Sequence, residues 1–411
     1  MEQDIGTRGT PDMAPEMAPR RTIDLLDGEL YVRDPYSVYA WMREHAPLYW
    51  DPINELVGVS RYDDIIDVEK RKEIFVNSDQ VKGGYRPNIP ADPAIIGLDD
   101  PLHQKRRSLV ARRFTPRAVA GREDHVRATV TRLLDRVAAA GGTAEVIEDL
   151  AAPLPAMTIA WLLGFPEERW PELKDWSERT IVLGGGPRYM DEDGVAAAME
   201  FAEAASELYA EKQHCPADDI MSTWTQATVD GEPLGVDAVI SDCLLLLDGG
   251  AETTRTVIGR TILDLIAHPD QWELLREGAD LTVATEEFIR YVTPIHNMCR
   301  VATEDTEVGG HPVSAGQQLV LMYGSANRDP RHFDDPERFD VTRHPNNHIA
   351  FGFGTHFCLG AALARMEIRV FFEELVRRVR SMRLVPGTAP VDMPNAFVYG
   401  LRSAHVELDI G

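Results

Sequence analysis

Residues 236–267 keep apolar side chains at three- and four-residue spacing for 32 positions, and this run limits the fold more than any other feature of the chain. As an α-helix it spans about 48 Å at ~1.5 Å per residue, enough to cross a whole domain. Its middle is unsuited to a plain core helix. Gly249-Gly250 costs about 1 kcal/mol per glycine relative to alanine, and the hydroxyls of Thr253 and Thr254 can bond back to carbonyls one turn earlier. A local widening is expected there. The same helical spacing recurs at 123–140, 195–213 and 361–380, whereas β-branched or alternating stretches at 47–60, 307–322 and 397–410 predict short strands. The fold class is mainly α with small β-sheets near both ends, and with long loops at 78–98 and 183–193.

The 411 residues contain no internal repeat and, after residue 22, no Gly/Ser linker or low-complexity tract. We expect a flexible tail over 1–22 and one domain over 23–411. The tail lacks the apolar run of a secretory signal, and no wholly apolar stretch approaches the roughly 20 residues needed to cross a bilayer. The expected setting is the cytoplasm, without a membrane anchor. A net charge of −25 argues against nucleic acid or an anionic membrane as partner. Against that background, residues 101–122 hold Lys105, Arg106, Arg107, Arg112, Arg113, Arg117 and Arg122 and no acidic residue.

Four cysteines, Cys215, Cys243, Cys299 and Cys358, lie far apart and form no CxxC pair, so neither a zinc knuckle nor a disulfide framework is indicated. Cys358 stands out because Gly352, Gly354 and Gly360 surround it, directly before the helical pattern that begins at Ala361. A backbone that must approach a flat macrocycle needs residues without Cβ and with access to positive φ. A sulfur at a helix N-terminus is expected to favour thiolate over thiol. A buried structural cysteine in a Gly-rich turn is the plain alternative.

The spacing Phe351-x-x-Gly354-x-x-x-Cys358-x-Gly360 resembles the haem loop of the cytochromes P450. Glu287-x-x-Arg290, with Arg338 in Pro336-Glu-Arg-Phe339, is similar to that family's buried Glu-Arg-Arg network, a structural element behind the haem; alone, the pair would be only an i, i+3 helical ion pair. The resemblance runs from Ile23 to Leu408 and implies the cytochrome P450 fold and haem b, with Cys358 as axial ligand and Phe351, Gly352 and Gly360 against the cofactor. It gives His103, Arg107, Arg300 and His356 as partners for the haem propionates, which need cationic or hydrogen-bonding groups when buried. A thiolate ligand donates electron density to iron and favours O–O cleavage, so oxygen activation is implied over oxygen carriage.

Gly249-Gly250-Ala251-Glu252-Thr253-Thr254 resembles the acid-alcohol pair of oxygen-activating members. The likeness implies that Thr253 and Glu252 pass protons to bound oxygen while bulk water stays out. Members driven by hydrogen peroxide usually lack this pair, so dioxygen with two delivered electrons is expected. The chain has no flavin or iron-sulfur motif of its own. Electrons are expected from a ferredoxin and its NAD(P)H-dependent reductase, docked near Lys105, Arg106 and Arg113. A haem-binding sensor or carrier is the reading from another class; under it, the acid-alcohol pair is an unexplained cost.

Asn297-Met-Cys-Arg-Val301 and His348 to Gly360 place the likeness closest to the actinobacterial branch that contains sterol side-chain hydroxylases. Asp248 departs from that branch, since the family usually presents an apolar residue there. A buried, unpaired carboxylate costs several kcal/mol, so either His296 or the substrate should satisfy it. The substrate pocket is expected to include Asp248, Gly249, Ile295, His296, Tyr85, Phe397 and Val398. These residues favour a natural-product intermediate with an amine or hydroxyl handle, for instance an amino acid on a carrier protein, over the steroid alternative.

Overall fold

The computed structural model describes residues 22–411, so the expected tail lies outside the described residues except for Thr22. The long helix forms over Val236–Ala267 and packs against helices Pro153–Leu163, Trp170–Thr180, Glu192–His214, Leu281–Val292 and Ala361–Arg378. Its buried side chains, among them Val239, Leu247, Val257, Ile258 and Ile262, anchor the largest core cluster. Helical backbone continues through Gly249-Gly250, and the Thr253 hydroxyl bonds back to the Gly249 carbonyl at 2.8 Å. Neighbouring helices bury enough of this element to outweigh the low helix propensity of two residues.

Helix Pro153–Leu163 starts with proline in its first turn and ends at Gly164 in the left-handed region, φ 102°. The run Val146–Leu163 is apolar and long enough to cross a membrane, yet 78% of it is buried inside the protein. Its apolar surface serves the core.

A five-stranded sheet runs in the order Leu48–Asp51, Leu56–Val59, Gln318–Met322, Asn297–Ala302, Phe75–Val76. Its only parallel pairing among these strands joins Leu56–Val59 to Gln318–Met322. A three-stranded sheet joins Val379–Leu384, His405–Ile410 and Thr143–Glu145. The expected strand regions at 47–60, 307–322 and 397–410 each contain strands. Asn297–Ala302, which carries part of the family likeness, is the fourth strand of the large sheet. The expected loop at 183–193 is tightened by 3-10 turns over Ile181–Gly185 and Pro187–Tyr189.

Candidate active site

A cavity of about 480 Å³ lies between the middle of the long helix and the loop before Ala361–Arg378. On one wall stand Asp248, Gly249, Gly250, Thr253 and Thr254; on the other, Phe351, Gly352, His356, Cys358 and Gly360. The cysteine loop is closed by the Cys358 amide donating to the Phe351 carbonyl at 2.9 Å. Gly354 has φ 70°, and a Cβ there would stand 2.7 Å from the Glu69 carbonyl oxygen, so both conformation and space require glycine. Nothing lies within 4 Å of the Cβ positions at Gly249 and Gly360, which leaves both walls open to a flat guest.

Cys358 is turned into this cavity, with the amides of Gly360 and Ala361 beside its sulfur. Burial nevertheless raises the thiol above its ordinary range. The expectation that the helix N-terminus favours thiolate is corrected for the free thiol: desolvation outweighs the amide hydrogen bonds and the pull of Arg107 and Arg365.

Four candidate propionate partners line the cavity together: His103, Arg107, Arg300 and His356. The His103 and His356 rings lie side by side, tilted by 42°, with centroids 4.1 Å apart. His103 Nδ1 lies 3.1 Å from Asp100 Oδ1, while its buried Nε2 has no hydrogen-bond partner among the described residues. Burial, with Arg300, His103 and Arg107 nearby, pushes His356 down to about 2. Arg107 donates to the Phe357 carbonyl at 2.5 Å, and Arg300 to Glu69 Oε2 at 3.0 Å. An orphaned imidazole nitrogen, cationic groups and a Cβ-free cradle around one sulfur match what haem b requires.

The acid-alcohol pair divides in space. Thr253 faces the cavity, and its hydroxyl donates to the Gly249 carbonyl at 2.8 Å. Glu252 is buried behind the cavity wall and paired with Arg255, which also binds Glu178. Burial pushes Glu252 up to about 7, with Arg255 opposing the rise. Glu178 meets Lys174 at 2.9 Å, and Lys174 reaches the more exposed Glu148 at 2.7 Å, so a file of charged groups connects Glu252 to the surface.

Asp248, Gly249, Ile295, Tyr85 and Phe397 all line the cavity. His296 and Val398 do not. His296 stacks on Tyr31 at 4.3 Å and lines a separate small pocket with Tyr36, Tyr39 and Arg328, so it cannot satisfy Asp248. Val398 is fully buried, in a β-bridge with Ile295. The partner of Asp248 is Thr180, whose hydroxyl donates to Oδ1 at 2.8 Å from a helix 68 residues away. Burial holds the Asp248 carboxyl well above the ordinary carboxylate range.

Arg338 is corrected as a member of the structural network. Its side chain is exposed, and only its carbonyl meets Arg290. Glu287 instead binds Arg290 Nε at 2.7 Å and Arg343 Nε at 3.1 Å, with the Asp340 amide and Asn346 adding bonds. The expected docking cations are also largely engaged. Arg106 is buried against Asp242, Arg113 binds Asp218 and Asp219, and Lys105 pairs with Asp230. Exposed Arg112 and Arg117 have no ion pair among the described residues, and Phe353 and Phe357 of the cysteine loop are also exposed.

A family model described as Cytochrome P450 matches residues 189–407. The steroid C26-monooxygenase of Mycobacterium tuberculosis H37Rv is 39% identical over 392 residues, covering 93% of this chain and 96% of that protein. The chain belongs to the cytochrome P450 family. Among solved structures, CYP109E1 from Bacillus megaterium in complex with testosterone aligns with a TM-score of 0.84 at 32% identity, covering 93% of this chain and all of that one. P450BioI in complex with acyl carrier protein ligated to hexadec-9Z-enoic acid aligns at 0.83 and 30%, covering 93% and 100%. This P450 is thus a haem b monooxygenase that takes a small-molecule substrate and electrons from a redox partner.

Proposed function

We propose that this P450 hydroxylates a lipophilic intermediate of secondary metabolism that carries one hydroxyl or amine handle, and that Asp248 holds the handle. One observation carries this reading: Asp248 is a carboxyl in a largely apolar cavity, its side-chain partners are the hydroxyls of Thr180 and Ser177, and no cation lies within ion-pair distance of it among the described residues. Its remaining acceptor capacity is an expensive feature in an apolar pocket unless a ligand uses it. Delivery on a carrier protein fits the same pocket, since P450BioI binds a carrier-borne chain. A steroid side chain is the second reading, favoured by the identity to the mycobacterial monooxygenase.

Cys358 would hold haem b, whose chemistry is activation of dioxygen for insertion of one atom into a C–H bond. Arg107, Arg300, His103 and His356 would hold its carboxylates, and Phe351, Gly352 and Gly360 would pack on it. Thr253 would hold a proton at its hydroxyl beside the cavity; Glu252 would replenish it by side-chain rotation and ordered water, exchanging protons with Glu178 while Arg255 holds both carboxylates in place. The buried helix wall limits bulk water. An acidic ferredoxin, reduced by an NAD(P)H-dependent reductase, would dock around Arg112, Arg117 and the cysteine loop, in the cytoplasm.

The test is a Soret-shift titration with ligand pairs that differ only by a hydroxyl. Wild type should bind the hydroxylated member about tenfold more tightly, the worth of one buried hydrogen bond, and Asp248→Val should lose the preference. Equal affinities in both proteins would remove the handle.

A further inference from the structure

Where oxygen enters the substrate follows from the place of Asp248 on the long helix. The residue after it, Gly249, accepts the Thr253 hydroxyl on its carbonyl at 2.8 Å. Adjacent Cα atoms are ~3.8 Å apart, and positions 248 and 253 are only about 7.5 Å apart along the axis. They are rotated by ~140° around the helix, yet both line the same cavity, so the handle site and the Thr253 hydroxyl face one space. Gly249, between them, has nothing within 4 Å of its Cβ position, so substrate can lie directly against the backbone there.

The other polar groups of the cavity make weaker claims on a ligand. Asp92 accepts from Arg86 and from the Tyr85 hydroxyl, both at 3.0 Å, and Glu69 is held by Arg300 and Tyr323. Glu367, on the cysteine helix, is only 2% exposed. Asp248 retains surface, and that surface opens into the cavity. No basic side chain lies within ion-pair distance of it among the described residues; Arg86 acts on it only from farther away, and Glu252, Ser177 and Tyr85 are also near it. The hydroxyls of Thr180 and Ser177 already bond this carboxyl, and its cavity-facing oxygen offers a further hydroxyl the same kind of hydrogen bond.

Resting on the reading that Asp248 holds the handle, we infer that the substrate is an alcohol and that oxygen enters a carbon near its hydroxyl-bearing end. The product is a diol with its two oxygens close together, and the apolar remainder lies toward Ile181, Leu183 and Phe397. The balance is that of the family's reaction. One C–H bond is replaced by C–OH, and the second atom of dioxygen leaves as water with two protons and the two electrons supplied by the reductase chain. This separates the chain from oxidation at the far end of a long molecule, where the polar group would sit away from the reacting carbon.

The experiment uses the full-length, haem-loaded ferric protein with decan-1-ol and decane. Calorimetry gives affinities, and paramagnetic relaxation of decan-1-ol labelled with 13C at C1 or at C10 reports which end lies nearer the iron without needing turnover. The expected result is about tenfold tighter binding of the alcohol, with C1 relaxing faster than C10. Asp248→Val, and the near-isosteric Asp248→Asn as a check on folding, should respectively abolish and weaken both effects. Faster relaxation of C10 with the alcohol preference intact would overturn the placement and leave the handle standing. Equal binding of alcohol and alkane by wild type would overturn the handle itself. An unchanged relaxation order in a haem-loaded Asp248→Val protein would overturn the assignment to Asp248. Should neither variant load haem, the wild-type relaxation order decides.

Discussion

Glu367 shows how far a single side chain can depart from its ordinary chemistry in this fold. Burial pushes its carboxyl up to about 7, with the Thr158 hydroxyl opposing the rise, and no cation pairs with it among the described residues. A carboxyl whose folded value exceeds its unfolded value favours folding most below the unfolded value, and that advantage is lost as pH rises through 7. Glu367→Gln should therefore remove a loss of stability between about pH 5 and pH 8, worth on the order of 3 kcal/mol, read by denaturant unfolding at both pH values. At this scale the sequence was informative where chemistry is local. Cys358 and its glycines could be read because their spacing is covalent. The partner of Asp248 could not, since Thr180 arrives from 68 residues away, and His296 is drawn off by a stacking contact with Tyr31. The thiol of Cys358 was misjudged because burial depends on the whole surrounding fold.

Among the elements, helix Leu281–Val292 holds the loop that leads to the cysteine through Glu287. Arg343 completes that anchor, giving its Nε to Glu287 and its other nitrogens to the carbonyls of Asp334, Asp335 and Arg338. Arg343→Ala should cost about 3 kcal/mol, because it removes one partner from a buried carboxylate, whereas exposed Arg338→Ala should stay within about 0.5 kcal/mol. Chemical denaturation of the two variants distinguishes the assignments. Periodicity located the long helix at its observed bounds, and Ala361–Arg378 to within two residues. It did not identify Arg343, because which arginine turns inward is set by a turn, with Asp335 at φ 44° and Phe339 buried, and not by spacing.

Over the whole molecule, a chain of net charge −25 keeps a basic segment near its cysteine loop. The segment was legible as a run of charge, but not how much of it is neutralised, because Asp218, Asp230 and Asp242 come from distant positions. Arg112 and Arg117 remain available. Reversing both to glutamate should slow reduction by an acidic ferredoxin about tenfold at low ionic strength, and the deficit should shrink as salt screens the charges. Stopped-flow reduction at two salt concentrations reads this directly. Mostly helical architecture was likewise evident from pattern alone, while the order of the five-stranded sheet was not, since it joins segments as far apart as Leu56–Val59 and Gln318–Met322.

The most direct measurement is the carbon monoxide difference spectrum of the reduced protein, taken for wild type and for Cys358→Ser. Wild type should show the red-shifted Soret band of a thiolate-ligated haem, and the serine variant should lose that band. A wild-type protein that loads haem without the thiolate band, or a serine variant that keeps it, would contradict ligation by Cys358 and the oxygen chemistry that follows from it.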